Sequence, residues 1–135
     1  MSRLLASAAI AVVVAGCGSS ESSLEQHFRR GIENVRTTHD KKKLHARLER
    51  TLANLRRDRA ENATARKAKR FASAGFRSTL AGLESQIAFV DNDRGNPPIA
   101  ARDAARGYHL RLVGARLLRR AGSLLGVSVG SLDGY

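Results

Sequence analysis

The sequence predicts an all-α protein, a small bundle of three to four helices behind a cleaved signal peptide and a short flexible linker. Three observations carry this. Leucine, alanine and arginine, all good helix formers, dominate the chain after its first 20 residues. The only two prolines are adjacent, at Pro97 and Pro98, so most of the chain is free of helix breakers. Runs of β-branched residues are nearly absent outside the N-terminal stretch, and apolar residues recur at spacings of three and four.

The first 20 residues indicate the compartment. Arg3 is followed by 13 uncharged residues, Leu4 to Gly16, then by the single cysteine, Cys17, and by Gly18-Ser19-Ser20. A basic start, a short apolar run and small residues before a cleavage point describe a secretory signal. A run of 13 residues falls short of the roughly 20 that a bilayer-spanning helix needs. The segment Val14-Ala15-Gly16-Cys17 resembles the lipobox of bacterial lipoproteins. That resemblance implies that residues 1–16 are removed and that the Cys17 thiol carries a diacylglyceryl group as the first residue of the mature chain. Residues 17–23 then form a polar tether, 24–125 a helical domain and 126–135 a flexible tail. With one cysteine, no internal disulfide can form.

The first helix is expected from about Ser23 to Thr37, capped by Ser22 or Ser23, with Leu24, Phe28, Ile32 and Val35 on one face. Gly31 weakens it by up to about 1 kcal/mol relative to alanine. The polar stretch Thr37 to Asp40 predicts a turn or kink. A second helix, from Lys41 to about Ala60 with Asp40 as its cap, has Leu44, Leu48, Thr51, Leu52 and Leu55 as its core stripe. A third, from about Ala65 to Val90, follows a cap at Asn62 or Thr64. Its stripe is Ala72, Phe76, Leu80, Leu83, Ile87 and Val90.

Asp91 to Pro98 is the strongest loop signal in the chain, and Pro98 suits the first turn of a fourth helix, Ile99 to Leu125. Ala101, Ala104, Ala105, Tyr108, Leu112 and Ala115 share one side of that helix. Gly75 and Gly82 lie seven residues apart in helix three, and Gly107 and Gly114 repeat the spacing in helix four. Small residues at that interval let backbones approach, so these helices are expected to pack as an antiparallel pair. The glycine-rich tail after Leu125 is expected to be frayed or loosely docked.

Charge is the main functional signal. The formal net charge is +12, and residues 29–77 hold 16 Lys or Arg against 5 Asp or Glu, a net +11. Such an imbalance favours polyanionic partners and opposes self-association. Lys41, Lys42, Lys43, Arg47, Arg50 and Arg57 form one candidate face on helix two. Arg102, Arg106, Arg116 and Arg120, with His109, form another on helix four.

Signals for chemistry are weak. His27, His39, His45 and His109 do not pair at ligand spacing, and Asp91 with Asp93 lacks the ligand count of a calcium loop. No Gly-x-Ser-x-Gly elbow and no phosphate loop after a strand occur. Asn62-Ala63-Thr64 matches a glycosylation triplet, which has little meaning in a bacterial-type lipoprotein. No cofactor and no metal are expected.

The leading expectation is therefore a non-enzymatic, lipid-anchored protein on the extracytoplasmic side of the cell membrane. Its basic faces would contact an anionic membrane, a wall polymer or an acidic envelope protein, since a lipid plus a basic patch is a recognised two-part attachment. The alternative is a small-ligand or protein-binding bundle with incidental charge, recognised by a pocket between helices. Nucleic-acid binding is disfavoured by export and by the lack of interleaved aromatics.

Overall fold

The computed structural model describes residues 21–92 and 94–132; Cys17 and the whole signal segment lie outside the described residues. Four helices follow one another, α1 (Ser23–Thr37), α2 (Lys41–Arg57), α3 (Ala63–Asn92) and α4 (Pro97–Leu125), with no strand among the described residues. Among the described residues, no helix is long and apolar enough to cross a membrane.

Each start has a local cause. Ser22 Oγ accepts a hydrogen bond from Glu25 N, Asp40 Oδ1 from Lys43 N and Asn62 Oδ1 from Ala65 N, each satisfying a donor that the first helical turn leaves open. The backbone hydrogen bond from Lys43 also holds the Asp40 carboxyl below the ordinary carboxylate range. Asn96 caps α4, whose first two positions are the prolines. Thr37 to Asp40 separates α1 from α2, as the polar phase shift predicts. Helix α2 ends at Arg57 rather than near Ala60, because the extended Asp58 terminates it. Helices α3 and α4 each begin two residues earlier than the apolar spacing suggests.

The helices run up, down, up and down. Leu24, Phe28, Ile32 and Val35 of α1 meet Leu44, Leu48 and Leu55 of α2 and Ala72, Phe76 and Leu83 of α3 in one core. At its centre the Phe28 and Phe76 rings lie 5.9 Å apart at 59°. Gly31 has a packing reason to be there: a Cβ at that position would run into the Phe76 ring and stand 2.8 Å from Thr51 Cγ2.

Helices α3 and α4 pack as the close antiparallel pair that their glycines predict. A Cβ added at Gly82 would stand 2.9 Å from Gly107 O, and one at Gly114 would stand 2.9 Å from Gly75 O. Ser78 Oγ donates a hydrogen bond of 2.7 Å to Leu110 O across the same seam. These approaches leave no room for side chains at the four positions.

Two expectations fail at the far end of this pair. Tyr108 is 66% exposed and Ala101, Ala104 and Ala105 are exposed, although they share the predicted core side of α4. Val90 of the α3 stripe is 54% exposed. The glycine seam sets which side of α4 meets α3, and Tyr108, Ala101 and Ala105 lie round the helix from it. The buried side of α4 runs instead through Gly107, Arg111, Gly114, Ala115, Leu118, Ala121 and Gly122.

The described part of the C-terminal tail, residues 126–132, docks on the bundle, and residues 133–135 lie outside the described residues. Gly126 takes a left-handed conformation (φ 67°) that turns the chain back, with Val127 N donating to Gly122 O at 2.8 Å. Val127, Val129 and Leu132 are then buried in the main core. Val127 lies near Ile32 of α1 and Leu132 near Val35, so the segment runs along α1 as a strap. Its glycines suggested looseness; its alternating apolar residues decide the packing.

Candidate functional site: a cationic groove and a buried arginine

The α2–α3 turn and the flank of α3 beside it gather several cations. Arg56 and Leu52 lie one turn apart on α2. Arg66, Lys69, Arg70, Ser73 and Arg77 follow at helical spacing on α3, which runs antiparallel beside it. Together with Ala60 they line a groove of about 860 Å³ that holds five cations and no carboxylate among the described residues.

Lys69 fixes its shape. The Lys69 Nζ donates to Asp58 O at 2.6 Å and to Arg56 O at 3.2 Å, placing a positive charge on the open carbonyls at the end of α2. Asp58, buried, is also bonded through Oδ2 to His27 Nδ1 at 2.7 Å, tying α1 to the same turn. Arg56, Arg66, Arg70 and Arg77 are exposed, and no ion pair among the described residues involves them. Such an array attracts anions. Beside it, the Arg120 guanidinium from α4 lies 5.8 Å from the centre of the Phe71 ring.

The residues singled out by sequence do not converge on this groove. Lys41, Lys42 and Lys43 sit at the opposite end of α2 from Arg57, about 21–24 Å away at 1.5 Å per residue. Lys42 pairs with Asp91 at 2.9 Å, and that hydrogen bond raises its pKa. Arg47 donates to Thr38 Oγ1 at 2.7 Å, Arg57 to Ala53 O at 3.3 Å, and Arg102 lies 3.6 Å from Asp103. Lys43, Arg50, Arg106 and Arg116 are exposed without an ion pair among the described residues. The groove cations were readable as part of the excess in residues 29–77. Arg66, Arg70 and Arg77 also fall on one side of α3, at i, i+4 and i+11.

A second site lies beneath the C-terminal strap. Val35, Leu44, Leu83 and Leu132, with Arg36, Thr38, His39, Lys41, Arg111 and Ser131, line a cavity of about 400 Å³. Arg111 comes from the glycine seam of α4, and its Cγ would be 2.7 Å from a Cβ at Gly82. The residue is 8% exposed. One guanidinium nitrogen donates to Gln86 Oε1 at 3.1 Å, and the buried Nε has no hydrogen-bond partner. Burial alone draws its pKa below the ordinary value, yet an arginine keeps its charge at neutral pH. An unpaired buried charge of this kind costs several kcal/mol. Arg111 stood in the sequence among other arginines of α4, and only its place between Gly107 and Gly114 marks it as buried.

Among the described residues, no group of three or more His, Cys, Asp or Glu side chains is placed to hold a metal ion. Comparisons with protein-family models, curated proteins and solved structures found no match. The fold and the groove define an all-α bundle with a concentrated anion-attracting end.

Proposed function

We propose that this chain is a lipid-anchored, non-enzymatic protein of the cell envelope whose cationic end rests on an anionic surface of phospholipid headgroups. The observation that supports this most is one of placement. Residues 21–25, where the described chain begins, line one hollow with Arg57, Asp58, Arg59, Asn62 and Ala65 of the α2–α3 turn. The cationic groove opens beside that turn, through Arg56, Ala60 and Arg66. Cys17 precedes Glu21 by four residues, so an acyl group on it is tethered within about 14 Å of this end of the bundle.

The lipid and the groove therefore act from one side. A diacylglyceryl group on Cys17 supplies two acyl chains that hold the domain at the membrane, and the basic groove orients it on anionic headgroups. Each Lys or Arg near an anionic surface contributes about 1 kcal/mol, fading within a Debye length of about 8–10 Å. Lys43, Arg50, Arg106 and Arg116 enlarge the positive surface without forming its centre.

The test uses the purified full-length protein and two sets of vesicles, one of phosphatidylcholine alone and one also containing phosphatidylglycerol. The wild type is expected to prefer phosphatidylglycerol, and the preference should shrink with salt. Reversing the four exposed groove arginines (Arg56→Glu, Arg66→Glu, Arg70→Glu and Arg77→Glu) should lower that preference roughly 10²–10³-fold. Binding to neutral vesicles should stay unchanged. An undiminished preference would remove the groove from the proposal. Mass spectrometry showing an unmodified Cys17 would remove the anchor.

A further inference from the structure

The structure assigns to the cavity beneath the C-terminal strap a ligand of its own: a small monocarboxylate with an apolar body, bound with Arg111 as its counter-ion. This site is separate from the groove, shares none of its lining residues and does not depend on membrane attachment.

The inference begins with Arg111. A guanidinium presents five N–H donors in a planar fork, and here one bond to Gln86 Oε1 is the only hydrogen bond it makes among the described residues. Its Nε is buried without an acceptor. Gln86 is neutral, so the positive charge remains uncompensated within the described fold. Yet the position is enforced, because the Arg111 stem crosses the glycine seam where α3 and α4 approach each other. A cation held in the interior beside an open volume, without a carboxylate among the described residues that line it, has the character of half an ion pair.

The walls specify the other half. Val35, Leu44, Leu83 and Leu132 contribute apolar surface from α1, α2, α3 and the strap, while Arg36 and Lys41 add positive charge. A free inorganic anion would leave these apolar walls unused, and an uncharged apolar molecule would leave Arg111 unpaired. A carboxylate matches the planar fork in bidentate fashion. The volume of about 400 Å³ falls in the lower part of the 300–1,000 Å³ usual for small-molecule sites, which suits a short or medium-length body. Leu132 of the strap lines the cavity and is not part of a helix.

Calorimetric titration of the full-length protein below micellar concentrations tests the site, with octanoate, 1-octanol and inorganic phosphate as probes. Octanoate should bind with a stoichiometry of one and raise the melting temperature. Octanol and phosphate should each bind at least about 10-fold more weakly. Arg111→Met should lose octanoate binding by a similar factor while keeping its helical circular dichroism, and Arg111→Lys should lose part of it. If Arg111→Met does not fold, Leu132→Ala serves in its place and should weaken octanoate binding without restoring phosphate binding. The variant with four reversed groove arginines should bind octanoate as the wild type does. The proposal is overturned if wild type does not bind octanoate, if phosphate binds as tightly, or if Arg111→Met binds equally well. Binding that emerges only in Asp133→Asn would also overturn it, because Arg111 would then answer to a carboxylate of the chain itself.

Discussion

Phe76→Ala should destabilise the bundle by about 3–5 kcal/mol, a large part of the 5–15 kcal/mol that holds a domain folded. Phe76 is fully buried, and it lies where α1, α2 and α3 meet. Its ring packs against Phe28 and fills the space over Gly31, while the glycine seam joins the other side of α3 to α4. Truncation removes the aromatic pair and leaves a void that helices locked on both sides cannot collapse to fill. Urea denaturation followed by circular dichroism should show a lower midpoint at unchanged slope. A loss below 1 kcal/mol would mean that α1 does not rest on Phe76 as described.

Gly114→Leu should cost about 3 kcal/mol, at the upper end for overpacking, because the obstruction is backbone. A Cβ there would collide with Thr79 Oγ1 and stand 2.9 Å from Gly75 O and 3.0 Å from Thr79 N. The two backbone atoms cannot turn aside, and moving the Thr79 hydroxyl would break its 2.9 Å hydrogen bond to Gly75 O. Ala104→Leu, at an exposed position of the same helix, is the control and should change stability by no more than about 0.5 kcal/mol. Equal effects at the two positions would show that α3 and α4 are not in close contact along this seam.

Fold class, helix order, the main caps and the α3–α4 pairing were legible because each rests on local or periodic signals. Asp40 precedes a run with apolar residues every three or four positions, and four glycines repeat a seven-residue interval. Which side of a helix meets its neighbour is set by the close approach at the seam, which apolar periodicity does not contain. Tyr108 therefore looked like a core residue and is exposed, off the side that Gly107, Arg111 and Gly114 bury. Val127, Val129 and Leu132 are buried because Gly126 turns the chain back onto α1, a tertiary event that looked locally like a loose end.

The charged sites divide along the same line. A wheel drawn on α2 alone groups Arg47, Arg50 and Arg57, while the groove arises from two helices and recruits Arg56 with Arg66, Arg70 and Arg77. Pairing across helices also withdraws Lys42 from the free positive surface, through Asp91. Arg111 was hidden for a different reason. Arginine is ordinarily a surface residue, and the glycine seam around this one was the only indication of its burial.

The central claim is that the α2–α3 end of the bundle faces the membrane. Fluorescence quenching by headgroup-labelled lipid measures this directly, using full-length lipidated protein with a single probe site at Glu61→Cys or Gly95→Cys. Glu61 lies in the α2–α3 turn and Gly95 in the turn between α3 and α4, at opposite ends of α3. The α3 helix separates the two positions by about 45 Å, far beyond the reach of headgroup quenching from one surface. The account predicts strong quenching at position 61 and little at position 95. Equal quenching at both sites, or quenching at 95 alone, would contradict it.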